Sequence, residues 1–259
     1  MSEVVVERRA RTTIVTINRP EARNALTLGV IAGVREAFDA ASKDPEVRCV
    51  VLTGAGGHFC AGADLRKQLM DDPEMMDKLD SYMDEYHSLV RAVVRCTKPS
   101  IAMMDGAAVG FGADLAFACD LRVASSVAYA QEKFVKIGLM PDGGGTFWLP
   151  RLVGTARAMQ LILLAEKLEA AAMKELGIVV KVVPANELRE ATLAVAQEIE
   201  DGPPLAFAEV KKALYASWGP LEDALRRERE GQLRLLRSAD CVEGIMAWSQ
   251  KRPPVFLGK

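Results

Sequence analysis

Residues 49–64 read CVVLTGAGGHFCAGAD, a short continuous apolar run followed by a glycine-rich segment. The run from Cys49 to Leu52 is typical of a strand that is buried on both faces. Between Leu28 and Pro45 apolar residues recur every three or four positions, which predicts an amphipathic helix. Two extended runs, Val4 to Glu7 and Thr13 to Ile17, precede this helix and predict a hairpin. The order of strand, helix and strand indicates an α/β fold.

The same alternation continues toward the C-terminus. Helical spacing recurs from Pro73 to Arg95, and a buried strand is predicted at Ser100–Met104. Further short strands are predicted at Leu121–Ala124, Val127–Ala130 and Val179–Val183. The sequence then becomes almost wholly helical as far as Gln250, with breaks at 202–204 and 219–220. We therefore predict a βα-rich body over 1–184 and a helical region over 185–259, which docks against the body or a neighbouring subunit to bury its apolar residues.

Composition and charge exclude several classes of protein. Half of the 259 residues are apolar and 26% are charged, which excludes a disordered chain. The 33 lysines and arginines nearly balance 35 acidic residues, so nothing indicates binding to nucleic acid or to an anionic membrane. No apolar run suits a signal peptide or a membrane span, which favours a cytoplasmic location.

Cysteines and histidines offer little to a metal or disulfide framework. The five cysteines are scattered without CxxC spacing, and the sequence has only two histidines. We expect no metal site, and we expect Cys60 and Cys119 to be small packing residues.

Three glycine-rich segments follow predicted strands, at 53–64, 105–114 and 141–146. They lack the GxxxxGK[ST], GxGxxG and GxSxG patterns of nucleotide hydrolases, dinucleotide-binding proteins and serine hydrolases. Such loops can still expose backbone N–H groups, and two of these aimed at one point form an oxyanion hole. The residues alone leave open whether the acids beside the loops transfer protons or act as caps and turn residues; these acids are Asp64, Asp114, Asp120 and Asp142.

Four segments together resemble the crotonase superfamily, which is the enoyl-CoA hydratase/isomerase family. They are 18–26 (NRPEARNAL), 59–65 (FCAGADL), 105–120 (DGAAVGFGADLAFACD) and 136–145 (KIGLMPDGGG), and the likeness runs in register over essentially the whole chain. The resemblance implies a spiral of ββα units with a C-terminal helical region for trimerisation and active-site cover. It further implies a trimer or a dimer of trimers, an acyl-CoA thioester substrate, fatty acid metabolism as a context, and no cofactor, since coenzyme A is part of the substrate.

The resemblance also implies where the substrate binds. The N–H groups of Ala63 and Phe111 would form the oxyanion hole for the thioester. The implied CoA-binding residues are Arg23, Ala25, Ala61, Asp64 and Leu65, with Arg66 and Lys67 as candidate phosphate partners. The implied acyl pocket comprises Gly110, Phe134 and Met140. The family commonly has three small residues where this chain has Gly110-Phe111-Gly112, so we expect the Phe111 ring to reshape that pocket.

The carboxylates help to distinguish which reaction of the family the chain would catalyse. Of the two glutamates that hydratases of this family use, the first matches Asp114 and the second matches Phe134, which cannot hold or ionise water. Asp142 stands where dienoyl-CoA and 1,2-epoxyphenylacetyl-CoA isomerases carry a catalytic aspartate. The resemblance therefore favours an enoyl-CoA isomerase in which Asp142 shuttles the proton and Asp114 steers the substrate or serves the opposite terminus.

Three alternatives stay open at this point. Glu132 could replace the missing glutamate if the local register slips. The protein could be an enoyl-CoA hydratase that uses Asp114 and Asp142 in a changed arrangement. It could also be a non-catalytic acyl-CoA-binding or interaction protein. The acyl group and the pathway are not readable from the sequence.

Overall fold

The computed structural model describes residues 2–65, 67–68, 72, 74–216 and 238–259. Its strands are β1 (Val4–Arg9), β2 (Thr12–Ile17), β3 (Cys49–Gly54), β4 (Ser100–Met104), β5 (Ala107–Val109), β6 (Leu121–Ser125), β7 (Tyr129–Gln131), β8 (Leu168–Glu169) and β9 (Lys181–Val183). Its α-helices are α1 (Leu28–Lys43), α2 (Leu79–Arg95), α3 (Phe111–Ala118), α4 (Gly145–Val153), α5 (Thr155–Leu163), α6 (Ala170–Glu175), α7 (Leu188–Glu200), α8 (Pro204–Ala216) and α9 (Ala239–Gln250). Within these ranges, no helix has the length and apolar character needed to span a lipid bilayer.

A six-stranded main sheet, in the order β1-β2-β3-β4-β6-β9, forms the centre of the fold. The predicted hairpin is confirmed, because β1 and β2 pair antiparallel with Val4 opposite Ile17. From β2 onward the neighbouring strands are parallel. The predicted burial of β3 on both faces is also confirmed. Val50 and Leu52 lie in the large core, whereas Cys49 and Val51 lie in a second core on the opposite face.

A second layer of short extended segments lies beside the ends of the main strands. It contains the three-stranded sheet β5-β7-β8 and two isolated parallel bridges, Leu26 with Ala63 and Cys60 with Ala108. The chain thus repeats a unit of main strand, second-layer strand and helix, as in β4-β5-α3. In the next unit, a 3₁₀ helix at Phe134–Ile137 separates β7 from α4. The repeat places the glycine-rich segments 53–64 and 105–114 where the chain leaves the main sheet, and places 141–146 before α4 in the next unit.

Some element boundaries differ from the sequence prediction. A 3₁₀ helix at Met75–Lys78 precedes α2, where we predicted one continuous helix. Strand β7 begins at Tyr129 rather than Val127, because Ala128 N–H closes a turn onto Ser125. Strand β9 begins at Lys181 rather than Val179, since the Val179 N–H bonds the carbonyl of Met173 at the end of α6. In both strands a local hydrogen bond shortens the extended run.

The helical C-terminal region packs on the body through α7. This helix buries Leu188, Ala191 and Ile199 in the second core, against strand residues that include Val51 and Ile101. The predicted break at 219–220 lies outside the described residues. The division at 184 and the part of this region in trimerisation and active-site cover stay predictions.

Helix α8 is tied to the body by a nearly buried ion pair. Lys211 Nζ lies 2.7 Å from Asp120 Oδ2 and also donates to the carbonyl of Val93. Tyr215 donates its hydroxyl to Asp120 Oδ1, and the Ser100 N–H donates to Asp120 Oδ2. Asp120 therefore tethers the backbone of β4 and two side chains of α8.

We expect Asp120→Ala to lower the free energy of unfolding by about 3–5 kcal/mol, because it leaves the Lys211 ammonium buried without a carboxylate. Urea unfolding measures the loss. The matched control is Glu169→Ala, which breaks an exposed pair with Lys167 at 3.2 Å and should change stability by about 1 kcal/mol or less. Equal losses in the two variants would contradict the tethering role.

Candidate active site

The loops that follow β3 and β4 approach each other closely at Gly62. Val109 N–H donates to Cys60 O at 2.9 Å, which fixes the two loops side by side. Gly62 has φ +91, and a Cβ placed on it would lie 2.7 Å from Val109 O and 3.5 Å from Phe111 N. A side chain at position 62 would therefore both strain the backbone and push the loops apart.

Both amides expected in the oxyanion hole lie on these loops. Ala63 follows Gly62 directly, and Phe111 is the first residue of α3. N–H groups in the first turn of a helix have no intrahelical acceptor. Across the described part of the chain, no hydrogen bond from either amide to a protein acceptor is present. Two unpaired donors thus occur on adjacent loops.

The expected CoA-binding residues lie on the segment 23–25 and on the loop that follows β3, which run beside each other. Ala61 N–H donates to Arg23 O at 3.0 Å, and Leu26 N–H donates to Gly62 O at 2.8 Å. Arg23 and Leu65 are exposed, whereas Ala25 is buried. The structure therefore brings together Arg23, Ala25, Ala61 and Leu65. Arg66 lies outside the described residues.

Asp64, expected to contact CoA, also has a structural partner that sequence reasoning missed. Its Oδ2 lies 2.9 Å from Nη2 of Arg19, and its Oδ1 accepts from Lys67 N–H. Arg19 is nearly buried and further pairs with Glu3 at 3.1 Å. Arg19 lies within the quoted segment 18–26, but nothing in the sequence shows that it reaches Asp64.

Asp142 lies in the loop of residues 141–144 that precedes α4, which we call the Asp142 loop. Its side chain is half-buried, and burial raises the pKa of its carboxyl, an effect that the nearby His87 opposes. His87, from α2, donates from Nε2 to the backbone carbonyl of Asp142 at 3.0 Å. Nothing in the sequence singles out His87, because only the tertiary fold brings α2 to this loop.

Asp114 and Glu132 form a second acidic group behind the Asp142 loop, which we call the carboxyl pair. Asp114 has no exposed surface and Glu132 is 3% exposed. Asp114 Oδ2 accepts from Gly143 N–H at 2.9 Å. A Cβ placed on Gly145 would overlap Asp114 Oδ1 and lie 3.2 Å from Glu132 Oε1. Gly145 therefore has to be a glycine for the pair to fit.

The pKa values of both carboxyls in the carboxyl pair are raised. Burial raises the pKa of Asp114 to about 7 and raises the pKa of Glu132 well above its ordinary value. The Asp114 carboxyl raises the pKa of Glu132 further, whereas Glu132 lowers the pKa of Asp114. Among the described residues, Asp114 Oδ1 and both Glu132 oxygens have no hydrogen-bond partner. Both shifts favour the protonated form of each carboxyl.

Aromatic side chains pack around these acids. Phe134 is 9% exposed, and its ring lies 3.7 Å from the Cβ position of Gly110. The Phe111 ring is buried edge-on against Tyr86, with 4.8 Å between centroids, so it points into the core. Met140 is 67% exposed, and its place in the acyl pocket stays a prediction.

Cys60 and Cys119 are fully buried, as packing residues should be. Burial raises the pKa of each thiol to about 12, so neither provides a thiolate near neutral pH.

Comparison of the sequence with known protein families identifies the family of this chain. The sequence model of the family described as enoyl-CoA hydratase/isomerase matches residues 7–259. The chain belongs to the enoyl-CoA hydratase/isomerase family. The resemblance to the crotonase superfamily is thereby confirmed, and so is the crotonase fold, since a crystal structure of an enoyl-CoA hydratase from Polaromonas sp. JS666 superposes with a TM-score of 0.93 at 35% identity, covering 98% of this chain and 99% of that one.

Relatives within the enoyl-CoA hydratase/isomerase family carry names of both reaction types. A "probable enoyl-CoA hydratase" of Rhodobacter capsulatus is 40% identical over 247 residues, which is 95% of this chain and 94% of the relative. The 1,2-epoxyphenylacetyl-CoA isomerase of Escherichia coli is 37% identical over 246 residues, 94% of each chain. The protein is an acyl-CoA-binding enzyme of this family, but membership does not distinguish hydration from isomerisation.

We expect Asp114→Asn to flatten the pH dependence of stability. Between the ordinary pKa of 3.8 and about 7, the folded wild type binds more protons than the unfolded chain, so its free energy of unfolding falls as the pH rises through this window. Asparagine still accepts from Gly143 N–H and can donate to Glu132. At pH 8 the variant should be more stable than wild type, by up to about 4 kcal/mol, because one pKa unit corresponds to about 1.4 kcal/mol.

Urea unfolding in steps between pH 5 and pH 8.5 measures this difference, which should narrow toward the acid end. Two stability curves that run parallel over the whole range would contradict the raised pKa of Asp114.

Proposed function

We propose that the enzyme is an enoyl-CoA isomerase that moves a double bond by proton transfer through Asp142. The proposal is supported by the presence of both a half-buried carboxyl at Asp142 and a buried phenyl group at Phe134. Phe134 matches the second glutamate of the hydratases, and a phenyl group cannot position water. The site thus keeps one partly accessible acid and lacks the second group that hydration uses.

The thioester would bind with its oxygen between the N–H groups of Ala63 and Phe111. Two such bonds polarise the carbonyl, so that a proton on the α carbon becomes acidic. Removing one donor from comparable sites lowers the rate by about 10²–10³-fold. The coenzyme A part would extend along Arg23, Ala25, Ala61, Asp64 and Leu65.

The reaction balances with a single carboxylate. Asp142 takes a proton from the α carbon as that C–H bond breaks, and the electron pair spreads through the conjugated system to the thioester oxygen. Asp142 then returns the proton to the γ carbon, where a new C–H bond forms. Burial, which raises the pKa of Asp142, makes its carboxylate a stronger base. The enzyme ends in the state in which it began.

Asp114 would assist by steering the substrate or serving the opposite terminus. Because Asp114 is fully buried, direct contact with substrate would require the Asp142 loop to move. We further propose a trimer or a dimer of trimers, in line with the family resemblance.

We expect Asp142→Asn to lower isomerisation by about 10²–10⁴-fold, the usual contribution of a positioned acid or base, while thioester affinity changes only a few-fold. The substitution keeps the backbone carbonyl that His87 binds. Turnover of a 3-enoyl-CoA and binding of a saturated acyl-CoA measure the two effects. The control is Asp39→Asn on the exposed side of α1.

If the Asp142→Asn variant keeps most of its turnover, Asp142 is not the proton carrier. If wild type and variant both bind acyl-CoA tightly and neither turns over, the protein is a binding protein instead.

An enoyl-CoA hydratase is the second candidate, favoured by the name of the 40% identical relative and by the presence of two acids, Asp114 and Asp142. Incubating a 2-enoyl-CoA in deuterated water separates the two reactions. A hydroxyacyl product indicates hydration, whereas a product with a shifted double bond indicates isomerisation, and its deuterium content shows how much of the proton on Asp142 exchanges with solvent.

We expect Phe134→Glu to gain hydratase activity, because it places a carboxylate near Gly110 in place of a group that excludes water. The measured quantity is hydroxyacyl-CoA formed from a 2-enoyl-CoA, with Phe134→Leu as the control for lost packing. A folded glutamate variant that forms no more hydroxyacyl-CoA than the leucine variant would contradict water exclusion by Phe134.

A further inference from the structure

Glu132 is a nearly buried acid that the proposed reaction does not use. It follows β7, and within the described residues no lysine or arginine forms an ion pair with it or with Asp114. Neither of its oxygens has a hydrogen-bond partner in the described part of the protein, and the neighbouring Asp114 carboxyl further raises the pKa of Glu132. A nearly buried carboxyl with no cation and no other donor is stable only if it keeps or shares a proton.

Asp114 connects Glu132 to the Asp142 loop. Its Oδ1 borders Gly145 together with Glu132 Oε1, and its Oδ2 accepts from Gly143 N–H at 2.9 Å. Gly143 follows Asp142 directly in the chain. A Cβ on Gly143 would lie 2.7 Å from Asp114 Cβ, so the loop backbone rests directly on the Asp114 side chain. Any shift of Asp114 therefore moves the backbone beside Asp142.

We propose that Glu132 is a positioning residue that shares a proton with Asp114, and that this carboxyl pair holds the Asp142 loop in place for catalysis. The inference rests on the proposed function for its catalytic part, and on the packing alone for the rest. The shared proton stays on the pair throughout turnover, whereas Asp142 alone exchanges a proton with the substrate. In this proposal Glu132 positions the loop and does not take the role of the second hydratase glutamate.

Loss of the shared proton has a structural consequence. Two adjacent carboxylates in an apolar setting repel each other, so Asp114 would move away from Glu132 and from Gly143 N–H. The titratable groups that face the pair are Asp142 in the covering loop, His87 of α2 through its contact with Asp142, and Glu166, which lines a small cavity behind Glu132. Asp142 adds negative charge nearby and so favours retention of the proton.

The experiment that tests this proposal compares wild type with Glu132→Gln, Glu132→Ala and the control Glu166→Gln. Glutamine is nearly isosteric and donates permanently to Asp114, whereas alanine removes the partner. Glu166 also borders the cavity behind Glu132, but its carboxylate pairs with Arg157 at 3.0 Å and is outside the reaction.

Two readouts do not depend on activity. Infrared spectroscopy at pH 8 should show a protonated carboxyl band in wild type and in Glu166→Gln, and the band should be lost in Glu132→Gln. Amide hydrogen exchange at pH 9 should show faster exchange at Gly143 in wild type than in Glu132→Gln, because only the wild-type pair can lose its proton.

The third readout is the pH profile of kcat. Wild type and Glu166→Gln should lose turnover at alkaline pH, and Glu132→Gln should lose this decline. Glu132→Ala should lower kcat with little change in KM, and glutamine should restore it.

A wild type without the infrared band, or a band that survives in Glu132→Gln, would overturn the shared proton. Equal exchange at Gly143 in the two proteins would overturn the positioning role. If wild type shows no isomerase activity but the infrared and exchange results hold, the proposed function fails and the carboxyl pair stands as a device that holds the loop.

Discussion

The site depends on one close backbone approach, between the loop that follows β3 and the loop that follows β4. Val109 N–H and Cys60 O join the loops at 2.9 Å, and the absence of a side chain at Gly62 lets them approach this far. The approach places the amides of Ala63 and Phe111 on neighbouring strands of chain. It also fixes the start of α3, which carries Asp114 three residues later. The same contact thus positions both donors and Asp114.

Burial separates the acids into two kinds. Asp142 is half-buried. Burial raises the pKa of its carboxyl and the nearby His87 lowers it, so this carboxyl can change protonation state in contact with a ligand. Asp114 and Glu132 lie deeper, face no cation among the described residues, and hold a proton between them. Environments that push the pKa values of neighbouring carboxyls apart are a usual way to give them different tasks. In this protein the difference follows from how deeply each carboxyl is buried, because Asp142 lies on the loop whereas Asp114 and Glu132 lie beneath it.

The sequence predicted the parts of the fold that local patterns determine. The apolar run at Cys49–Leu52 predicted a strand buried on both faces, and the spacing after Leu28 predicted α1. Motif resemblance located the loops of Gly62, Gly110 and Asp142. Contacts between distant segments were not readable. Residues 114 and 132, 19 and 64, and 87 and 142 meet only because the repeated units stack, and no periodicity records that stacking.

The glycines at 143 and 145 show how the acids constrain the chain around them. A Cβ at either position would lie within 3 Å of an Asp114 side-chain atom, so these residues cannot carry side chains while Asp114 keeps its place. A loop of small residues is usually interpreted as a requirement for backbone freedom or ligand access. In this protein the two positions must be glycine because of the packing beneath the loop, where the Asp114 side chain fills the space that side chains at 143 and 145 would occupy. The motif PDGGG therefore carries information about Asp114 as well as about Asp142, and a substitution at 143 or 145 would disturb both acids at once.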